Sequence, residues 1–191
     1  MVKSTGKLFV FSAPSGSGKT TIVKKILSLF PFLVFSISAT TRKKRPVETN
    51  GGEYFFISEE EFENRIDAGD FIEWEKFYDY YYGTPKSYID ENLSLGNSVV
   101  LELDVKGALS IKKEYPDAHL IFIMPPGIEE LKKRLKSRKT ETEEDLKKRI
   151  ERAEMELTYK DHFDYIIVNR DIEKAVDEVK RIIEININKD K

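Results

Sequence analysis

The chain has 191 residues, a net charge of −2, 35% charged and 40% hydrophobic side chains, and no cysteine. That length allows one substantial core with a small inserted lobe and excludes two large independent domains. The near-neutral balance leaves no basic footprint for duplex nucleic acid, and without cysteine there is neither a disulfide framework nor a thiolate metal site.

The N-terminus is polar, and no apolar run approaches the roughly 20 residues of a bilayer span. Neither a signal peptide nor a membrane anchor is expected, and the expected location is cytoplasmic. Residues 8–11 form an apolar, β-favouring run suited to a buried parallel strand. They lead into Ala13-Pro14-Ser15-Gly16-Ser17-Gly18-Lys19-Thr20. A glycine-rich turn at a helix N-terminus offers backbone N–H groups and partial positive charge to an anion. Gly16 and Gly18 allow close wrapping around phosphate oxygens, Lys19 reaches the outer phosphates, and the Thr20 hydroxyl suits Mg²⁺. The usual pattern opens with glycine where this chain has Ala13, and an incidental Gly/Ser-rich loop is the competing reading.

Ile22, Val23, Ile26, Leu27 and Phe30 recur at helical spacing and predict a helix over 20–30. A strand is expected over 33–37, followed by Ser38-Ala39-Thr40-Thr41-Arg42-Lys43-Lys44-Arg45-Pro46. Each guanidinium of Arg42 and Arg45 can grip phosphate oxygens through a planar fork. Alone, such a run reads as a solvated surface; beside a triphosphate turn it reads as a second phosphate clamp. Between 40 and 84 the strand–helix rhythm breaks. Gly51-Gly52, an aromatic strand over 54–57, a helix over 59–68 and a strand over 71–77 mark a β-rich insertion. It is either a second substrate lobe beside the ligand-binding edge or a subdomain that only completes the core.

The rhythm then returns, with strands expected over 98–103, 120–124 and 165–168. Glu102 and Asp104 are two apart and leave one face of a strand, where acids can hold Mg²⁺ or its waters; solvent-facing acids are the alternative. Gly127 leads into a helix carrying Ile128, Leu131 and Leu135, and Thr142 with Asp145 forms a capping box for the next. Asp171 caps the last helix, whose apolar face is Ala175, Val176, Val179, Ile182 and Ile183. The alternation argues for an α/β fold with a parallel sheet covered on both faces.

These motifs resemble those of the guanylate kinases, P-loop nucleoside monophosphate kinases that move the terminal phosphoryl group of ATP onto GMP. The resemblance spans essentially the whole chain. It rests on S-A-P-S-G-S-G-K-T, S-A-T-T-R-x-x-R-P, N-G-x-x-Y-x-F, F-I-E-W, Y-Y-G-T, L-x-D-V-x-G, R-K-T-E-T-E-E and I-I-V-N, in that order. It implies a single domain with a P-loop NTPase-like parallel sheet flanked by helices. Within it the core covers about 7–37, 98–126 and 160–187, a β-rich GMP-binding insertion about 38–84, and a helical lid about 134–152.

The resemblance further implies ATP held by Ala13, Pro14, Ser15, Gly16, Ser17, Gly18, Lys19 and Thr20, with Arg134 and Asn169 nearby. GMP falls to Ser38, Arg42, Arg45, Tyr54 and Tyr82 at the phosphate, to Glu73 and Thr84 at the base, and to Asp104. Mg²⁺ falls to Thr20 and Asp104, directly or through water, and catalysis to Lys19, Arg42, Arg138 and Arg149. ATP and GMP are the implied partners, with no nucleic acid and no membrane. Guanine presents two donors that one carboxylate accepts as a pair and an O6 acceptor that a hydroxyl can serve, which fits Glu73 and Thr84. The chain departs from the family pattern at Glu102, Lys106 and Lys139, where Asp, Gln and Gly are usual. Other readings remain for single residues: a plain strand acid at Glu73, solvated charges at the arginines, a turn-forming amide at Asn169. Two remain for the whole, a non-catalytic module that binds protein partners and a kinase with another monophosphate acceptor.

Overall fold

The computed structural model describes residues 6–52, 54–77, 79–136 and 143–188. Strand β1 (Leu8–Ser12) is buried along its whole length. It runs between β7 (Val99–Glu102) and β8 (His119–Met124), with β2 (Val34–Phe35) and β9 (Tyr165–Val168) at the edges. Every pairing in this five-stranded sheet is parallel. Alternate side chains of β1 explain its continuous apolar character. Phe9 and Phe11 pack with Ile22, Ile26, Val179 and Ile183 of helices α1 (Lys19–Leu29) and α7 (Ile172–Asn188). On the opposite face, Val10 packs with Leu101, Phe122, Ile89 of α3 (Lys86–Ser94) and Ile111 of α4 (Val105–Glu114). The expected α/β architecture is present.

A second, four-stranded sheet follows the order β4 (Phe55–Phe56), β3 (Ala39–Thr40), β6 (Tyr80–Pro85), β5 (Phe71–Phe77). Helix α2 (Glu59–Asp67) covers it, started by the Ser58 hydroxyl, which accepts from the Glu61 N–H at 3.0 Å. From α2, fully buried Phe62 stacks on Phe71 and Tyr81, with ring centroids 4.2 and 5.1 Å apart. These rings form a small core separate from the main one.

The strand expected over 33–37 is cut short because the chain changes sheets there. Ser36 N–H still donates to Val100 carbonyl in the large sheet at 2.8 Å, whereas Thr41 N–H donates to Tyr81 carbonyl in the small one. The aromatic strand over 54–57 narrows to two residues paired with β3. Strand β6 and helices α3 and α4 were not anticipated. Three consecutive tyrosines hide the alternation of β6, and Pro85 closes that strand while serving as the N-cap of α3. Helices α5 (Ile128–Lys136) and α6 (Glu143–Leu157) pack Leu131, Leu135 and Ala153 into a third cluster. Thr142, Arg138 and Lys139 lie outside the described residues. A short 3₁₀ turn (Lys160–His162) precedes β9. Asp171 caps α7 as expected, its Oδ1 accepting from the Glu173 and Lys174 N–H groups at 3.0 and 3.1 Å. Among the described residues no helix is long and apolar enough to cross a membrane.

Because Phe62 supplies the centre of the small core, Phe62→Ala should cost about 3–5 kcal/mol, the range for truncating a buried phenylalanine. Denaturant unfolding followed by circular dichroism measures it, and a loss under about 1 kcal/mol would show that the aromatic stack is not what holds this sheet together.

Candidate active site

The phosphate turn sits where β1 ends and α1 begins. Its tightness requires left-handed backbone at Gly16 (φ 89°) and Gly18 (φ 91°), which glycine adopts without steric cost. A Cβ on Gly18 would lie 2.5 Å from Asn169 Nδ2, so glycine is required there twice over. That Asn169 amide is buried and donates to Ser17 carbonyl at 2.7 Å, while Asn169 carbonyl accepts from Arg134 Nη2 at 3.2 Å. Asn169 therefore braces the turn from beneath, and Arg134, also paired with Glu130, braces Asn169. Ala13 packs into the core between the sheet and α1.

Lys19 Nζ donates to Leu103 carbonyl at 2.9 Å. Burial lowers its pKa, opposed by the charges of Glu102, Glu156 and Asp104, in that order. Thr20 Oγ1 donates to Glu102 Oε2 at 2.9 Å. Asp104 does not share a strand face with Glu102 as expected: β7 ends at Glu102, and Asp104, two residues on, caps α4 instead, with Oδ1 accepting from Gly107 N–H at 2.8 Å. Thus the hydroxyl facing the turn is met by Glu102, while Asp104 keeps one oxygen towards the cleft. From α6, Arg149 Nη2 donates to Ser15 Oγ at 2.5 Å, which brings this arginine onto the glycine-rich turn. Arg138 lies outside the described residues. Among the described residues no three His, Asp or Glu side chains gather as a metal cage.

Next to the turn is a cavity of about 260 Å³ whose lining includes Ser38, Tyr54, Glu73, Tyr82 and Asp104. The sequence had assigned all five to one substrate. Glu73 and Thr84 face each other across β5 and β6, and Thr84 Oγ1 donates to Glu73 Oε1 at 2.7 Å. Burial pushes the Glu73 pKa up, with the charges of Asp104 and Glu75 adding to it and the Thr84 hydrogen bond working against it.

Arg42 is held by Glu48, a residue that sequence reasoning passed over. Arg42 Nη2 and Nη1 donate to Glu48 Oε1 and Oε2 at 2.7 and 3.0 Å, and Arg45 backbone N–H donates to Glu48 Oε2 at 2.7 Å. The Arg42 guanidinium also lies 5.6 and 5.5 Å from the Tyr54 and Phe56 ring centroids. Hydrogen bonds from Arg42 and from the Arg45 backbone hold the Glu48 carboxyl down at about 2. The available signal was an acid three residues after Arg45, inside a run that otherwise reads as exposed and basic. The Arg45 side chain is exposed.

The family model for guanylate kinase matches residues 5–186. A guanylate kinase of Caldanaerobacter subterraneus subsp. tengcongensis is 48% identical over 182 residues, covering 95% of this chain and 88% of the relative. A guanylate kinase of Thermotoga maritima is 46% identical, with 93% and 86% covered. The crystal structure of guanylate kinase from Anaplasma phagocytophilum superposes with a TM-score of 0.75 at 33% identity, over 99% of this chain and 90% of that one.

A carboxyl whose folded pKa is raised binds its proton more tightly in the folded chain than in the unfolded one. Its contribution to stability is full below the unfolded value and is lost as pH rises through the folded value. Glu73→Gln should therefore raise Tm near pH 7.5 and give up most of that advantage near pH 4, where the parent carboxyl is mostly protonated in both states. Differential scanning calorimetry at the two pH values decides; a Tm gain of equal size at both would rule out relief of buried charge as the cause.

Proposed function

We propose how this chain, which belongs to the guanylate kinase family and phosphorylates GMP with ATP, divides that reaction among its residues. ATP lays its phosphates in the turn from Ala13 to Thr20, where backbone N–H groups and Lys19 meet them. GMP enters the neighbouring cavity, its phosphate towards Ser38, Tyr54, Tyr82, Arg42 and Arg45, its base towards Glu73 and Thr84. The small sheet over about 38–84 acts as the acceptor lobe, and about 134–152 as the lid. The observation that carries this reading is the junction of the two halves: Thr20 of the turn and Glu102 beside the cavity are in hydrogen-bond contact.

Phosphoryl transfer requires an acceptor phosphate oxygen in line with the γ-phosphorus, with two polyanions held close together. Repulsion between them is the main obstacle. Lys19, the turn amides, Arg42 and Arg149 lower it, Arg138 being assigned the same work by family resemblance. Burial lowers the Lys19 pKa, and the charges of Glu102, Glu156 and Asp104 oppose that effect. No general base is needed, because the acceptor phosphate is already anionic.

The Thr20 hydroxyl and the carboxylates of Glu102 and Asp104 are hard oxygen donors of the kind Mg²⁺ takes, one or two at a time alongside phosphates and waters. Thr20 beside Glu102 fits that demand, and Asp104 has one oxygen left after capping α4. Bound there, Mg²⁺ would supply positive charge that offsets the phosphate oxygens. ATP and GMP are metabolites of the cell interior, and a cytoplasmic location is the proposed setting.

Base selection rests on Glu73. Ionised, it accepts both donors of guanine's edge, and Thr84 Oγ1, freed from it, serves O6. Adenine would instead turn a lone pair at the carboxylate, and buried groups left unpaired in this way are worth about 10⁴ in selectivity. Glu48 is a positioning residue: its fork on Arg42 and its bond to the Arg45 backbone hold the phosphate clamp in shape.

An ADP-release assay with ATP, Mg²⁺ and each of GMP, AMP, UMP and CMP tests the function. GMP should be preferred to AMP by about 10⁴ in kcat/KM. AMP used as well as GMP would refute the base reading, and no ADP from any acceptor would favour the non-catalytic protein-binding module. In the same assay, Glu48→Gln should raise the KM for GMP by about tenfold, the scale for loosening one charged hydrogen-bond pair, while the KM for ATP stays within about twofold. Equal rises in both would mean that Glu48 serves general stability only.

A further inference from the structure

Two arginines of α6 point at different halves of the site. Arg149 meets Ser15 in the phosphate turn, and Arg152, three residues on and so on the same helix face, lines the acceptor cavity. Arg152 has no place in the family motifs discussed above. Its setting is unlike that of a surface charge. Nε donates to Glu156 Oε1 at 3.0 Å, and the Glu156 side chain is only 6% exposed although that of Arg152 is 63% exposed. A nearly buried carboxylate thus fixes the stem and aims the far end of the guanidinium. That end is barely committed: Nη2 lies 3.6 Å from Asp104 Oδ2, too long for a hydrogen bond.

The cavity makes the purpose of this placement clear. Its lining contains the acids Glu73, Glu75, Glu102 and Asp104, and among the described residues that line it Arg152 alone is positive. A phosphate dianion entering such a space needs a compensating charge near at hand. The Nη1/Nη2 edge of a guanidinium binds two phosphate oxygens at once. Resting on the acceptor reading given above, we propose that Arg152 is a further catalytic arginine, which exchanges Asp104 for the phosphate of bound GMP and neutralises the acceptor during transfer. Arg149 and Arg152 then act as a pair on one helix, the first on the donor and the second on the acceptor. Glu156 is the positioning residue between them and the turn.

Steady-state kinetics of Arg152→Gln and Arg152→Lys test this, with GMP varied at saturating ATP and ATP varied at saturating GMP. Arg152→Gln should lower kcat/KM for GMP by about tenfold and leave the KM for ATP within about twofold, with an unchanged melting curve. Arg152→Lys should recover part of the loss, since it restores charge without the fork. An unchanged kcat/KM for GMP in the glutamine variant, or a rise in the KM for ATP equal to that for GMP, overturns the proposal. If Arg152→Gln does not fold, Arg152→Lys decides by the same criterion: a GMP-selective loss supports the role and none refutes it. The parent enzyme is the control, because failure to consume ATP with GMP would sink the acceptor reading itself, whereas a normal parent beside a normal variant sinks only Arg152.

Discussion

The parallel pairing of β1 with β7 decides where chemistry can occur. Parallel strands end at the same edge of a sheet, and the register sets Phe11 opposite Glu102. The segment that follows β1 must therefore turn beside the segment that follows β7. From the first comes the glycine turn with Lys19 and Thr20, from the second Glu102, Leu103 and Asp104. The contacts of Lys19 with Leu103 and of Thr20 with Glu102 follow from this shared edge, although they join residues 84 and 82 positions apart. No loop has to reach across the molecule to assemble the donor half.

The small sheet, the proposed acceptor half, depends on a different constraint. A strand that leaves one sheet after two residues and joins another cannot be long in either, and β2 and β3 are accordingly two residues each. The crossing carries Ser38 past the mouth of the turn and delivers β3 between β4 and β6. The antiparallel pair β5 and β6 then sets Glu73 against Thr84. Hydrophobic stacking around Phe62 gives this small sheet a core of its own, so Glu73 and Thr84 stand on a paired framework and not on loops.

Much of this was legible beforehand, for local reasons. The buried strands of the main sheet announce themselves as continuous apolar runs, and the phosphate turn carries its own chemistry in consecutive residues. The switch from β2 to β3 was not legible, because a residue run with one composition is divided between two sheets by tertiary pairing. Strand β6 was obscured by Tyr80, Tyr81 and Tyr82, which show no alternation of polar and apolar groups although they alternate in direction. Glu48 and Arg152 escaped for a third reason: single charged residues in charged stretches have no signature until their partners are placed. Asn169 was expected near ATP or as a turn-forming amide, and its amide is committed to Ser17 because a buried amide must find a partner.

Three cations around the cleft, Arg42, Arg152 and Lys19, have partners that are not equivalent. Glu48 grips Arg42 at 2.7 and 3.0 Å, and both side chains are largely buried. With its pKa held down, this carboxylate is charged throughout the neutral range and pairs with its arginine there. In the proposed reading a phosphate uses the N–H groups of Arg42 that Glu48 and the Lys43 carbonyl leave over. Asp104 stands 3.6 Å from Arg152 and Leu103 offers Lys19 only a neutral carbonyl. Contacts of that kind are surrendered at little cost when a phosphate arrives, since a charged acceptor outcompetes both. In the proposed reaction the acceptor clamp is thus tied to a charged partner and Lys19 and Arg152 to exchangeable ones, which is the distribution that charge neutralisation during transfer demands: the acceptor phosphate would be held by a braced arginine, and the charge that develops would be met by cations whose present contacts are weak.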